Sequence, residues 1–191
     1  MQRALSRAVG ATLILSVAAI GACSDDDDPA SPQDVTAQVI NSIQNDSHIM
    51  GVLHDANGGE IQAGQFAGQR ATDAEVKAFA GMMVVDHTTL DITGAALATR
   101  LGMMPTAPNT LLQSQQDREM SQLLLATGTS FDKSYIAQQV VAHTRTLAIV
   151  DAAIPEAQQA AVRTLLQSEV RTRVAAHLAQ AQRLAARVGS P

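Results

Sequence analysis

The chain has 191 residues, 46% of them hydrophobic but only 2% aromatic, and a formal charge of −5. That length fits one ordinary domain, and the shortage of rings points to a core of Ala, Leu, Val, Ile and Met packed in helices, not sheets. An acidic chain with few rings to stack bases excludes nucleic acid as the expected partner, and a single cysteine excludes both an intrachain disulfide and a cysteine-rich metal site.

The first 22 residues have the pattern of a targeting segment. Arg3 and Arg7 make a basic start, and residues 8–22 form an apolar run that is short for a bilayer span. The run ends Ile20-Gly21-Ala22-Cys23, which resembles the lipobox of a bacterial lipoprotein signal. That resemblance implies a lipid on the Cys23 sulfur and a new N-terminus at Cys23. Ser24 in the next position resembles an outer-membrane address, with the protein facing the periplasm. Without Arg3 and Arg7, 11 basic residues stand against 18 acidic ones, a net −7 from Cys23 onward. Residues 23–32, with Asp25 to Asp28, Pro29 and Pro32, read as an acidic tether, because adjacent carboxylates repel and proline resists regular structure. Residues 33–191 are left as the folded domain.

Along that domain every apolar pattern has helical spacing. Val35, Val39 and Ile43 recur every four residues and lead towards a first main helix through Ile49, Met50, Leu53, Ile61 and Ala67. Asn57, Gly58 and Gly59 weaken its middle. Glycine can also admit a neighbouring helix, and Glu60, on the side continued by Gly64 and Ala67, reads as an inward-facing acid. Thr72-Asp73-Ala74-Glu75 reads as a capping box with Thr72 as the cap. The second main helix runs to about Gly102 with a stripe at Val76, Phe79 or Ala80, Met83, His87, Leu90, Gly94, Leu97 and Leu101. After a loop with two prolines, a shorter amphipathic helix is expected over 110–126. Thr129 or Ser130 can cap a third main helix carrying Phe131, Tyr135 or Ile136, Val140, His143, Leu147 and Val150. Pro155 suits the first turn of a fourth, whose stripe is Val162, Leu166, Val170, Val174, His177, Ala181, Leu184 and Val188. The expected fold is all-α: four main helices, with a short one between the second and third.

The order of Gly59-Glu60-Ile61 and Gly64, Val76-Lys77 with Phe79-Ala80, Met83-Val84 with Asp86-His87, Phe131-Asp132 with Tyr135, Val141 with His143, and His177-Leu178 with Ala181 resembles the bacterial envelope family catalogued as domain of unknown function 4142. The resemblance spans residues 46–185. It implies a ferritin-like antiparallel four-helix bundle and an envelope location, and no activity. The chain departs from the family pattern at Ala142, where an acid usually precedes the third-helix histidine, and at residues 152–161, where an alanine-rich stretch around Pro155 replaces a glycine-rich turn.

Three histidines in apolar stripes need hydrogen-bond partners, a metal or a proton-transfer role. One reading places a transition-metal ion (zinc, iron or copper) among Glu60, His87, His143 and His177, one from each main helix. A ferritin-type di-iron centre is excluded, because its Glu-x-x-His spacing would need acids where Val84, Val140 and Val174 stand. At 1.5 Å per residue, Glu60 and His87 lie roughly 17 and 23 Å from a turn near Ala71, and His143 roughly 16 Å from a turn near Ile154. His177 lies roughly 34 Å from that second turn, too far to join unless the turn falls near Ala160. Arg173, one turn before His177, also disfavours a cation there, while Met83, one turn before His87, would favour Cu(I). The other reading is that each histidine bonds a neighbour, His87 with Asp91 and His143 with Gln139. His48 and His54 fall off the stripes and read as surface residues. No catalytic motif is present: neither a free cysteine nucleophile, a serine elbow, nor a phosphate-binding glycine loop. Two functions therefore stand side by side. One is a structural or partner-binding helical module, held to the membrane through Cys23 and meeting a protein partner or its own copies. The other is a metal-binding bundle with a mononuclear His/Glu site.

Overall fold

The computed structural model describes residues 31–104 and 106–189, so the leader, Cys23 and the aspartate run lie outside the described residues. The described chain is all helix: α1 (Pro32–Ser42), α2 (Asp46–Arg70), α3 (Ala74–Arg100), α4 (Thr110–Leu125), α5 (Gly128–Glu156), α6 (Ala160–Thr164) and α7 (Arg171–Val188). A π-helical stretch, Leu165–Val170, joins α6 to α7 without leaving the right-handed helical region. The four main helices expected from the stripes are α2, α3, α5 and the α6–α7 rod, with α4 as the short one. Ser31 and Pro32, read from sequence as the end of the tether, instead cap and open α1 through a Ser31–Asp34 capping box.

Helix ends depart from the expected caps in two places. Asp73, not Thr72, caps α3, its carboxylate accepting from the Glu75 and Val76 amides at 2.9 and 3.1 Å. Thr72 turns away because its amide and hydroxyl both donate to Asp132 of α5. α5 starts at Gly128, ahead of Thr129 and Ser130, with Thr127 in the cap position but making no side-chain cap bond. Gly128 takes the positive φ of 57° at that entry, which glycine adopts without strain. Pro155 also moves: it sits in the last turn of α5, not the first turn of the final helix.

Glycine matters most at Gly64. A Cβ there would lie 3.0 Å from the Ala80 carbonyl oxygen, so its absence lets the α2 and α3 backbones approach each other. The core divides into two apolar clusters along the rods. One gathers Ile49, Leu53, Leu90, Val150, Leu166 and Val174. The other gathers Ala67, Phe79, Met83, Tyr135, Ile136 and Ala181. A smaller cluster seats α1 on α2, α4 and α5 through Val35, Val39, Val52, Leu112 and Ile149. Between the two main clusters each rod carries a buried polar residue: Asn57 and Glu60 on α2, His87 on α3, His143 on α5 and His177 on α7. The bundle is two oily blocks with one polar layer between them.

Candidate metal centre

In that layer His87, His143 and His177 are 3%, 1% and 3% exposed, and their ring centroids stand 5.3–5.6 Å apart. One ring nitrogen from each lies within 4.8 Å of those of the other two, and among the described residues these three alone form such a group. Glu60 is not part of it. Its Oε1 lies 3.8 Å from His143 Nδ1, and its Oε2 accepts from the Gln139 side chain at 2.8 Å.

Each imidazole is held from outside the triad. His87 Nδ1 is 2.9 Å from Asn57 Oδ1, His143 Nδ1 is 3.0 Å from the Gln139 carbonyl oxygen, and His177 Nε2 is 2.9 Å from Asp86 Oδ2. All three partners accept, so the ring nitrogen facing each one carries the proton. The opposite nitrogens are then lone pairs, at Nε2 of His87, Nε2 of His143 and Nδ1 of His177. These same three atoms are buried without a hydrogen-bond partner. Burial first, then the neighbouring imidazoles, push His87 down to about 2, and burial lowers His177 as well despite its bond to Asp86. Tyr135 adds a buried hydroxyl without a partner, its pKa raised by burial and then by the Glu60 charge.

His177 joins the group, contrary to the height expected for it. The α5–α6 turn falls at residues 157–159, later than Ile154, because Asp46 of α2 grips the Gln158 and Gln159 amides at 2.8 and 2.9 Å. Arg173 does not oppose a cation at the centre either. It faces outward to Asp86 Oδ1 at 3.6 Å and Glu169 at 3.4 Å. The expected His87–Asp91 pair is replaced, since Asp91 bonds His54 at 2.7 Å. Gln139 does meet His143, through its carbonyl and not its amide. Met83 is fully buried in an apolar cluster, as a space-filling residue would be. Of the two histidines read as surface, the His54 side chain is 68% exposed, whereas His48 is half-buried and its Nδ1 lacks a partner.

Asn57 and Asp86 are the residues that sequence reading did not place at the site. Asn57, three residues before Glu60, shares its face of α2, and that spacing was the available signal. Asp86 had none, because an acid next to a stripe position normally points to solvent.

Fold and site together define an all-helical protein with three histidines closing on one buried point. A family model described as Domain of unknown function (DUF4142) matches residues 30–184, and the chain belongs to that family. No curated protein and no solved structure matches the chain significantly.

Proposed function

We propose that this protein is a metal-binding helical bundle of the bacterial cell envelope, with His87, His143 and His177 as ligands to one transition-metal ion. The observation that carries this reading is the set of three buried lone pairs with no donor to meet them. A water molecule has two hydrogens and would leave one lone pair bare. Protonating a ring would put a charge where burial opposes it, and burial holds both His87 and His177 below the ordinary imidazole range. Turning a tautomer would break a bond to Asn57, Gln139 or Asp86. A cation answers all three at once.

Neutral imidazoles with their outer nitrogens fixed are the form in which histidine binds zinc, copper or iron. Metal–nitrogen bonds of about 2.1 Å bring the three nitrogens within roughly 3.5 Å of each other. From a 4.8 Å spread, small ring rotations close the gap. Three protein ligands leave a fourth position for water or another small ligand. Glu60 acts from outside the ligand set, holding Gln139 and lending negative charge beside His143. The ferritin-like antiparallel topology implied by the family resemblance agrees with this placement of ligands on three rods. Lipid on Cys23 would hold the domain at the outer membrane, and no described helix is long and apolar enough to cross a bilayer.

Elemental analysis of the purified full chain tests the centre. One ion per chain is expected, lost in His87→Ala. A metal-free chain whose melting temperature ignores both added zinc, copper or iron and added chelator would end the reading.

A partner-binding module is the second reading, and one observation favours it. Val85 and Ile92 are 65% and 64% exposed, seven residues apart on one outward face of α3. Light scattering across a concentration series tests self-association, with a constant monomer mass counting against contact between copies.

A further inference from the structure

A cavity of about 500 Å³ opens between α2, α3 and the loop after α3, with Asn57, the partner of His87, in its wall. That volume lies within the range of small-molecule sites, roughly 300–1,000 Å³. Met50, Leu53, Leu90 and Leu165 give it apolar walls. Its acidic groups outnumber its one titratable base: Asp55 and Asp91 line it with His54, and among the described residues no lysine or arginine does. One oxygen of each carboxylate is already engaged, Asp91 Oδ1 by His54 and Asp55 Oδ2 by the Asn109 amide, both at 2.7 Å. Small residues keep the space open. A Cβ at Gly94 would lie 3.2 Å from Met50 Cε, and Ala98 stands on the same wall.

We propose that this cavity binds a small organic amine, its apolar body against the methionine and leucine wall and its ammonium group donating to Asp91. Two acids against one histidine disfavour carboxylates and phosphates, while an apolar wall disfavours an inorganic cation. The site is separate from the metal centre, and Asn57 is the side chain they share.

The test uses the full chain in detergent, stripped of metal with chelator so that its outcome does not depend on the histidine centre. Calorimetry compares 2-phenylethylamine with 2-phenylacetate, with detergent alone as the blank. The amine should bind one per chain and the carboxylate at least tenfold more weakly. Asp91→Asn should weaken the amine roughly tenfold, as loss of a charged hydrogen bond does. Ala98→Leu should abolish binding while the circular dichroism spectrum stays unchanged. Equal binding of both probes, binding of neither, or full amine binding by both variants would overturn the proposal.

Discussion

His87 meets burial on every side, two neighbouring imidazoles and one acceptor, and it answers by staying neutral. Its pKa, near 2 in the folded chain against 6.5 as the ordinary value, sets a sign. Between those values the unfolded chain binds a proton that the folded chain refuses, so stability rises with pH across the window and falls on acidification. In metal-free protein this one group contributes a slope of up to about 1.4 kcal/mol per pH unit below pH 6.5. Urea titrations at pH 7, 6 and 5 should show that slope, reduced in His87→Leu; equal slopes in both proteins would contradict the assignment. Asp86 offers a second test at this scale. It sets the His177 tautomer from outside, so Asp86→Ala should weaken metal binding about 10–100-fold, the usual effect of losing such a partner. Competition against a chromophoric chelator measures it, and Arg173→Ala, which touches only the far oxygen of Asp86, should change affinity much less. The three histidines were legible as polar interruptions of apolar stripes. Of their outer partners only Gln139 was legible, one turn before His143 on the same helix. Asn57 and Asp86 acquire their roles only when α2, α3 and α7 are brought side by side.

Two carboxylates tie the helices together at opposite ends. Asp132, near the start of α5, accepts from both Thr72 groups and the Asp73 amide, and so holds the α2–α3 turn. Asp46, at the start of α2, holds the α5–α6 turn through Gln158 and Gln159. Each hairpin thereby clasps the turn of the other, and both acids are buried. Asp132→Ala and Asp46→Ala should each destabilise the fold by about 2 kcal/mol, since buried amides lose their acceptor. Equilibrium urea unfolding measures this, and an effect no larger than that of an exposed Asp117→Ala would refute the clasp. The turn at residues 157–159 was misplaced from sequence because its cap comes from a residue more than a hundred positions earlier. The π stretch did leave a trace. Val162, Leu166, Val170 and Val174 are spaced by four three times running and are all buried. In a plain α-helix those steps drift by about 40° each. A wider turn absorbs the drift and brings His177 round to the triad.

At the scale of the whole molecule, two apolar blocks enclose one polar histidine layer, and the proposed function adds a metal ion in that layer and a lipid at Cys23. If Cys23 bears that lipid, Cys23→Ala should move the protein from the membrane fraction to the soluble one after a high-salt wash; a variant that stays with membranes would refute the anchor. The all-helical class, the existence of the long helices and the three stripe histidines were already determined by the amino-acid sequence. They follow from local spacing, in which side chains three and four apart must share a face whatever lies opposite. Tertiary structure decided the rest: which heights coincide, that Asp91 serves His54 instead of His87, that Glu60 stands outside the triad, and that the three histidine rings meet in one buried layer. Those are long-range facts, set by the Asp46 and Asp132 clasps and by the close approach at Gly64, and no stretch of the chain carries them alone.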